Sequence, residues 1–266
     1  MKVYIRLLLL LLIAHSAVSC HLLTAAGLGS QGQPTKKTPD KLTSMTTNSE
    51  VNVDHSGWDA LLKKHVNAAG YLDYKGFEKD RPALDAYMKK LSSLEPDKNW
   101  SVQELLAYYI NLYNVYTVDL ILKNYPLKSI QDIDGAFTKA FIPIGKHTLS
   151  LGGLENGVLR KMNEPRIHFA INCASVSCPK LSRDAYTAAK INEQLEEAVK
   201  GFINSEKNDI TADNPKISAI FKFYTKDFIT DETPSLNAYI NQFSDTKINL
   251  DAPIVFKEYN WSLNEQ

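Results

Sequence analysis

Cysteine is scarce in this chain, and charge of neither sign prevails. The 266 residues hold three cysteines, and 30 basic residues balance 30 acidic ones. A neutral chain has no electrostatic footprint for nucleic acid or an anionic surface, so no nucleic-acid partner is expected. Cys173 and Cys178 are separated by four residues, with one histidine nearby, His168. That arrangement lacks the paired ligand spacing of a structural zinc site, so neither a metal nor a cofactor is expected. The N-terminal apolar run, Leu7 to Ala14, is too short for a permanent membrane span. No internal repeat and no second linker divides residues 51–266.

The chain begins with a leader. Lys2 and Arg6 form a basic start, the apolar run comes next, and Ala17-Val18-Ser19-Cys20 closes the segment. A small residue before a cysteine at this place resembles a bacterial lipobox. It predicts that residues 1–20 are a lipoprotein signal peptide and that Cys20 is lipidated. The expected location is then the bacterial cell envelope, periplasmic or outer-membrane, with the lipid on Cys20 as the membrane partner. The alternative is an ordinary secretory peptide cleaved nearby. Either way the domain folds where disulfides are allowed. Residues 21–50 are rich in Thr, Ser, Gly, Gln and Lys without apolar periodicity, which predicts a flexible tether. Residues 51–266 have the length and composition of one globular domain.

Helical spacing recurs at Trp58, Leu61, Leu62, His65 and Val66, and again across 81–93. Ser101 with Glu104 three residues on predicts a capping box. The helix it starts runs to Tyr125-Pro126 and is apolar on most sides, as a central buried helix would be. Residues 137–151 predict a β-hairpin around Gly145-Lys146, residues 153–163 a helix, and Ile167 to Ile171 a short buried strand. Further helices are expected over 188–204 and 236–243, a strand leading into a short helix over 217–228, and a last strand at 254–263. The sum is an α+β, helix-rich single domain with a small, mainly antiparallel sheet.

Four groups of residues could carry chemistry. Asn111 and Asn114 share a face of the central helix, where an unpaired amide costs about 1–3 kcal/mol. They either bridge neighbouring segments or line a polar cleft. Glu155 sits at the edge of a buried helix side. It is either a solvated or ion-paired carboxylate, with Arg160 or Lys161, or the orienter of an imidazole. His168 precedes Cys173 by five residues, which in an extended strand is about 16 Å, so His147 and His65 are rival partners. Cys173 and Cys178 have three readings: a disulfide, a Cys173 nucleophile activated by imidazole, or buried free thiols.

Many of these residues fall in one ordered pattern. It includes Trp58-Asp59-Ala60-Leu61-Leu62, Gly70-Tyr71-Leu72-Asp73-Tyr74 and Tyr109-Ile110-Asn111-Leu112-Tyr113-Asn114. It continues through Glu155, Leu159-Arg160, His168-Phe169-Ala170 and Cys173-Ala174-Ser175-Val176-Ser177-Cys178-Pro179 to Asp227-Phe228 and Tyr259-Asn260-Trp261. In these residues the chain resembles the domain-of-unknown-function 547 family, over roughly residues 52–264, a family found in bacterial exported proteins and in plants. That family is similar to papain- or transglutaminase-like cysteine hydrolases. The resemblance implies a cysteine-dependent peptidase or amidase, with a peptide, amide or envelope polymer as substrate. Mapped here, it implies Cys173 as nucleophile, His168 as proton shuttle and Glu155 as orienter. Backbone amides after Cys173 would form an oxyanion hole. Asn111, Asn114, Tyr113, Cys178 and Arg160 would support the site. Many members carry a histidine after the motif glutamate, where this chain has Asn156. The rival is a non-catalytic envelope binding or scaffold domain with a Cys173–Cys178 disulfide-stapled loop.

Overall fold

The computed structural model describes residues 22–266, so the expected leader and Cys20 lie outside the described residues. The fold is built round one helix. Helix α1 (Ser56–His65) buries Trp58, Leu61, Leu62 and His65. It is followed by α2 (Tyr74–Lys79), α3 (Arg81–Ser92) and the 23-residue α4 (Val102–Asn124). Between α1 and α2 the chain turns at Gly70, with φ +85°. An added Cβ there would lie 2.2 Å from the Lys180 Cβ, so both conformation and space demand glycine.

Helix α4 is long and apolar enough to cross a membrane, but almost all of it is buried inside the domain. Ser101 caps it by accepting from the Glu104 amide at 3.1 Å. The reciprocal half of the capping box is missing. Glu104 turns its carboxylate to the Val53 amide at 2.9 Å, and Ser49 Oγ takes the Ser101 amide. Burial raises the Glu104 pKa.

The remaining elements wrap this helix. Strands β1 (Ile142–Ile144) and β2 (His147–Leu149) form an antiparallel hairpin with Ile144 opposite His147. A π-helical turn (Gly153–Val158) runs into a 3-10 turn (Leu159–Met162), so the helix expected at 153–163 is wound irregularly. Another 3-10 turn, Pro165–Phe169, stands where a strand was expected. Pro165 at its start presets a helical φ, and no neighbouring strand among the described residues offers a ladder. Helix α5 (Ile191–Ile203), strand β3 (Lys216–Ile217), short helices α6 (Ile220–Phe223) and α7 (Thr225–Phe228), helix α8 (Leu236–Phe243) and strand β4 (Val255–Phe256) complete the chain. β3 and β4 pair in parallel. The fold is α+β and helix-rich, with the hairpin as its small antiparallel sheet.

Two apolar clusters form the core. The larger surrounds α4; the smaller joins Phe169, Phe202, Phe221, Phe228 and Tyr239. Ile167 belongs to the first and Phe169 to the second, so His168 lies on the seam between them.

The segment 22–50 departs from the expected tether. It lies along the domain, with Leu42 buried in the main cluster. The Thr38 amide donates to Met162 O at 2.7 Å, the Met45 amide to Ala188 O at 3.1 Å, and Gln103 Nε2 to Thr43 O at 2.8 Å. Backbone bonding of this kind needs no hydrophobic period, so composition does not reveal it.

The central helix also holds the polar parts together. Asn111 donates to Tyr186 O at 2.7 Å and accepts from the Tyr186 amide at 3.1 Å. Asn114 donates to Ala170 O at 3.0 Å and accepts from the Asn172 amide at 2.9 Å. Asn114→Ala strands two buried backbone groups, at about 1–3 kcal/mol each. Urea unfolding should show a loss of about 2–6 kcal/mol. Asn124→Ala, at the exposed end of the same helix, should change stability by less than about 0.5 kcal/mol. Equal effects of the two would deny Asn114 the role of a clamp.

Candidate active site

The loop after the Pro165–Phe169 turn is fixed on three sides. Asn114 holds Ala170 and Asn172 from α4. Asn172 Oδ1 accepts from the Ala174 amide at 2.8 Å and from Asn264 Nδ2 at 3.1 Å, and Asn172 Nδ2 donates to Pro179 O at 2.7 Å. Asn264 Oδ1 in turn accepts from the Tyr74 hydroxyl at 2.8 Å. The C-terminal segment pairs along the loop: the Val176 amide donates to Ser262 O at 2.8 Å, and the Asn264 amide to Ala174 O at 3.2 Å. From the far side Lys207 Nζ donates to the Val176 and Cys178 carbonyls. So held, Ala174 takes a left-handed φ of +60°. An alanine in that region is strained by about 1–2 kcal/mol, and the strain sits one residue after Cys173.

Both thiols of the loop are free. The sulfurs lie 2.9 Å apart, and Cys178 Sγ also accepts from the Cys173 amide at 3.0 Å. Ser175 Oγ and the Tyr259 hydroxyl each lie 3.3 Å from the Cys173 sulfur. The Cys178 thiol, and after it Ser175 and Tyr259, stabilise the thiolate against the cost of burial and bring Cys173 from 9.0 to about 7. Burial and the neighbouring sulfur push Cys178 the other way. Cys173 is therefore the thiol that ionises and Cys178 the one that donates.

His168 is buried on the seam, and its Nε2 lies 2.8 Å from Asp227 Oδ2. Its ring stacks on Tyr224 at 3.8 Å between centroids, and its Nδ1 is buried with no partner. Arg160 grips Asp227 from the other side, Nε to Oδ2 at 2.6 Å and Nη2 to Oδ1 at 2.8 Å. Burial works to raise the Asp227 carboxyl, but hydrogen bonds from His168 and Arg160 outweigh it and hold it at about 2. Glu155, in the π-helical turn, accepts from the Tyr113 hydroxyl at 3.4 Å and from Tyr224.

These groups line one cavity of about 280 Å³. Cys173, Cys178, His168, Glu155 and Tyr113 share its wall, and Tyr224, Tyr259 and Trp261 complete it. Gly152 belongs to the wall as well; an added Cβ would lie 2.7 Å from Phe137 O, so the glycine lets two segments close against each other. Among the described residues no group of three or more His, Cys, Asp or Glu side chains is gathered to hold a metal.

The arrangement differs from the expected one in several roles. Asp227, not Glu155, bonds the imidazole. Arg160 pairs with Asp227 rather than with Glu155. No hydrogen bond joins His168 to Cys173. The rivals are placed elsewhere: His65 bonds Asp80 at 2.6 Å, and His147 sits in β2 beside Gly32. Of the amides expected to form an oxyanion hole, those of Ala174 and Val176 are committed, to Asn172 and to Ser262. Hydroxyls stand beside the sulfur instead. Asn111 and Asn114 do not line the cavity; they fix the segments that do. Asp227, Tyr224 and Tyr259 join the site without having been expected there. Asp227 follows an apolar run without periodicity, and no spacing rule links a distant tyrosine to a thiol.

The fold and the cavity define a helix-rich α+β domain with a thiol- and imidazole-lined cleft. Residues 98–203 match the model of the family described as "Protein of unknown function, DUF547", so this segment is similar to that family. The match takes in Tyr113, Glu155, His168, Cys173 and Cys178 and stops before Asp227 and Tyr259. No curated protein and no solved structure matches the chain.

The Asp227 pairing carries a pH dependence. The folded value of about 2 lies below the ordinary 3.8. Its contribution to stability is therefore complete above about pH 5 and fades as pH falls through about 4 towards about 2. The stability difference between wild type and Asp227→Asn should be constant from about pH 7 to 5 and shrink by about pH 2.5 in urea titrations. A difference that grows on acidification would contradict the pairing.

Proposed function

We propose that this is a cell-envelope protein, anchored through a lipid on Cys20, whose cleft hydrolyses a peptide or amide bond through Cys173. The observation that carries the reading is the Cys173 sulfur. It sits among Cys178, Ser175 and Tyr259 in one cavity with a carboxylate-held imidazole. The thiolate attacks the carbonyl carbon, and its electron pair forms the C–S bond. The tetrahedral oxyanion takes hydrogen bonds from a nearby hydroxyl, with Tyr259 the best placed. His168 protonates the leaving nitrogen as the C–N bond breaks, then takes a proton from the water that cleaves the thioester. Asp227 holds the ring for both steps. In papain- or transglutaminase-like enzymes the imidazole would ionise the thiol directly. Here the local donors lower the thiol, and the imidazole is left for the ligand.

A second reading is favoured by the 2.9 Å approach of the sulfurs. Under oxidation the pair would close into a disulfide, and the domain would act as a stapled binding or scaffold module.

Iodoacetamide should label one thiol, Cys173, with a midpoint near the pKa of about 7, and Cys173→Ala should abolish it. Cys178→Ala should keep the label but move the midpoint up, because a donor to the thiolate is gone. p-Nitrophenyl acetate should turn over in wild type, not in Cys173→Ala, and about 10²–10⁴-fold more slowly in His168→Ala. Labelling that appears only after reductant supports the stapled module, and turnover indifferent to Cys173 overturns the hydrolase.

A further inference from the structure

Among the described residues Glu155 is the one carboxylate on the cavity wall; no salt bridge holds it, and the charge that acts on it is that of Arg160. Glu155 is 7% exposed, and its hydrogen bonds come from two phenols, Tyr113 and Tyr224. The cations nearby are engaged elsewhere. The hydrogen bonds of Arg160 go to Asp227 and Asn156, and those of Lys207 to two carbonyls of the thiol loop; by charge Arg160 still acts on Glu155 and Lys207 on both thiols. A buried carboxylate whose direct hydrogen bonds come from neutral phenols can still take a cation in direct contact.

The rest of the wall is aromatic. Tyr113, Phe137, Phe223, Tyr224, Tyr259 and Trp261 all line the cavity, and Phe223 is 51% exposed. Tyr224 already carries Arg160 and His168 against its ring, but the other aromatic rings and the carboxylate together favour a positively charged nitrogen, the rings through their quadrupoles and the carboxylate by direct charge. An anionic ligand would meet Glu155 and an ionised Cys173. The cavity is large enough for an ammonium-bearing fragment.

We infer that the cleft selects ligands bearing a primary or quaternary ammonium group, with Glu155 as the anchor and the aromatic wall as its cage. This rests on the reading of the cleft as a substrate site and names the substrate class: an amide whose carbonyl lies within a few bonds of a cationic nitrogen. Glu155 is then a specificity residue, while Asp227 serves the imidazole.

The test separates recognition from chemistry by using Cys173→Ala, which has no nucleophile. Choline and its neutral isostere 3,3-dimethylbutan-1-ol are titrated against tryptophan fluorescence, Trp261 being in the wall. Choline should bind at least tenfold more tightly than the isostere, and Glu155→Gln should abolish that preference while leaving isostere binding unchanged. In the protein with its thiols intact, the trimethylammonium-ethyl methanethiosulfonate should modify Cys173 at least tenfold faster than the sulfonatoethyl reagent. Glu155→Gln should reduce the ratio. Equal binding of choline and isostere, or a preference unchanged in Glu155→Gln, overturns the inference. Choline selectivity without p-nitrophenyl acetate turnover would retain the recognition site and discard the hydrolase. Turnover without selectivity would do the reverse.

Discussion

Asn114 lies in the middle of a helix with almost no solvent contact, and its amide bonds the backbone on both sides of Ile171. An unpaired amide at that depth would cost about 1–3 kcal/mol, so the side chain and the loop need each other. From there the network runs through Asn172 to Asn264 and Tyr74. Three asparagines and a tyrosine thus tie the central helix, the thiol loop, the C-terminal segment and the start of α2 into one unit. Amides suit the task because each offers a donor and an acceptor, and a carboxylate would not. The left-handed Ala174 persists because this network holds it on both sides.

The cleft divides its labour between two polar systems. One consists of the thiols and hydroxyls around Cys173, where short-range donors stabilise the thiolate and Lys207 adds its charge from the carbonyls it bonds. The other is the chain Arg160–Asp227–His168, where full charges pair and the carboxylate stays ionised. Keeping them apart has a chemical consequence. The imidazole gives its Nε2 to Asp227 and leaves Nδ1 without a partner, so neither nitrogen is spent on the thiol. His168 can hold this place because its neighbours Ile167 and Phe169 anchor in different apolar clusters. Its backbone is pinned on both sides while its ring faces the seam.

Much of the fold and part of the cleft are legible in the sequence. Helical periodicity locates α1, α3, α5 and α8 because each buries one face and exposes the other. Gly145-Lys146 marks the hairpin. Cys173, His168 and Glu155 stand out by residue type and meet in one cavity. The 166–171 segment misleads because an apolar run of that length suits a strand or a tight turn equally, and only Pro165 hints at the latter. Glu104 fits a capping box by spacing, yet a remote amide, Val53, claims its carboxylate. Partnerships across long separations, such as Asp227 with His168 or Tyr259 with Cys173, leave no local trace. They exist because two clusters pack against each other, and packing is decided by the whole chain.

Asn156 shows how far such partnerships reach. The resemblance leads one to expect a histidine there, and a histidine would add a second base to the cavity wall. The asparagine instead uses both ends of its amide: Nδ2 donates to Ala25 O at 2.7 Å, and Oδ1 accepts from Arg160 at 2.9 Å. Arg160 continues to Asp227, and Asp227 to His168. The N-terminal segment is thereby linked, side chain by side chain, to the imidazole. Beside it Gly157 leaves no room for a Cβ, which would lie 2.5 Å from Gly29 O. This wall is built to receive the 22–29 stretch as a packed part of the domain. An imidazole at 156 could not give both bonds with an amide's geometry, so the substitution and the docked segment belong together. With no histidine at 156, His168 is the one imidazole on the cavity wall among the described residues.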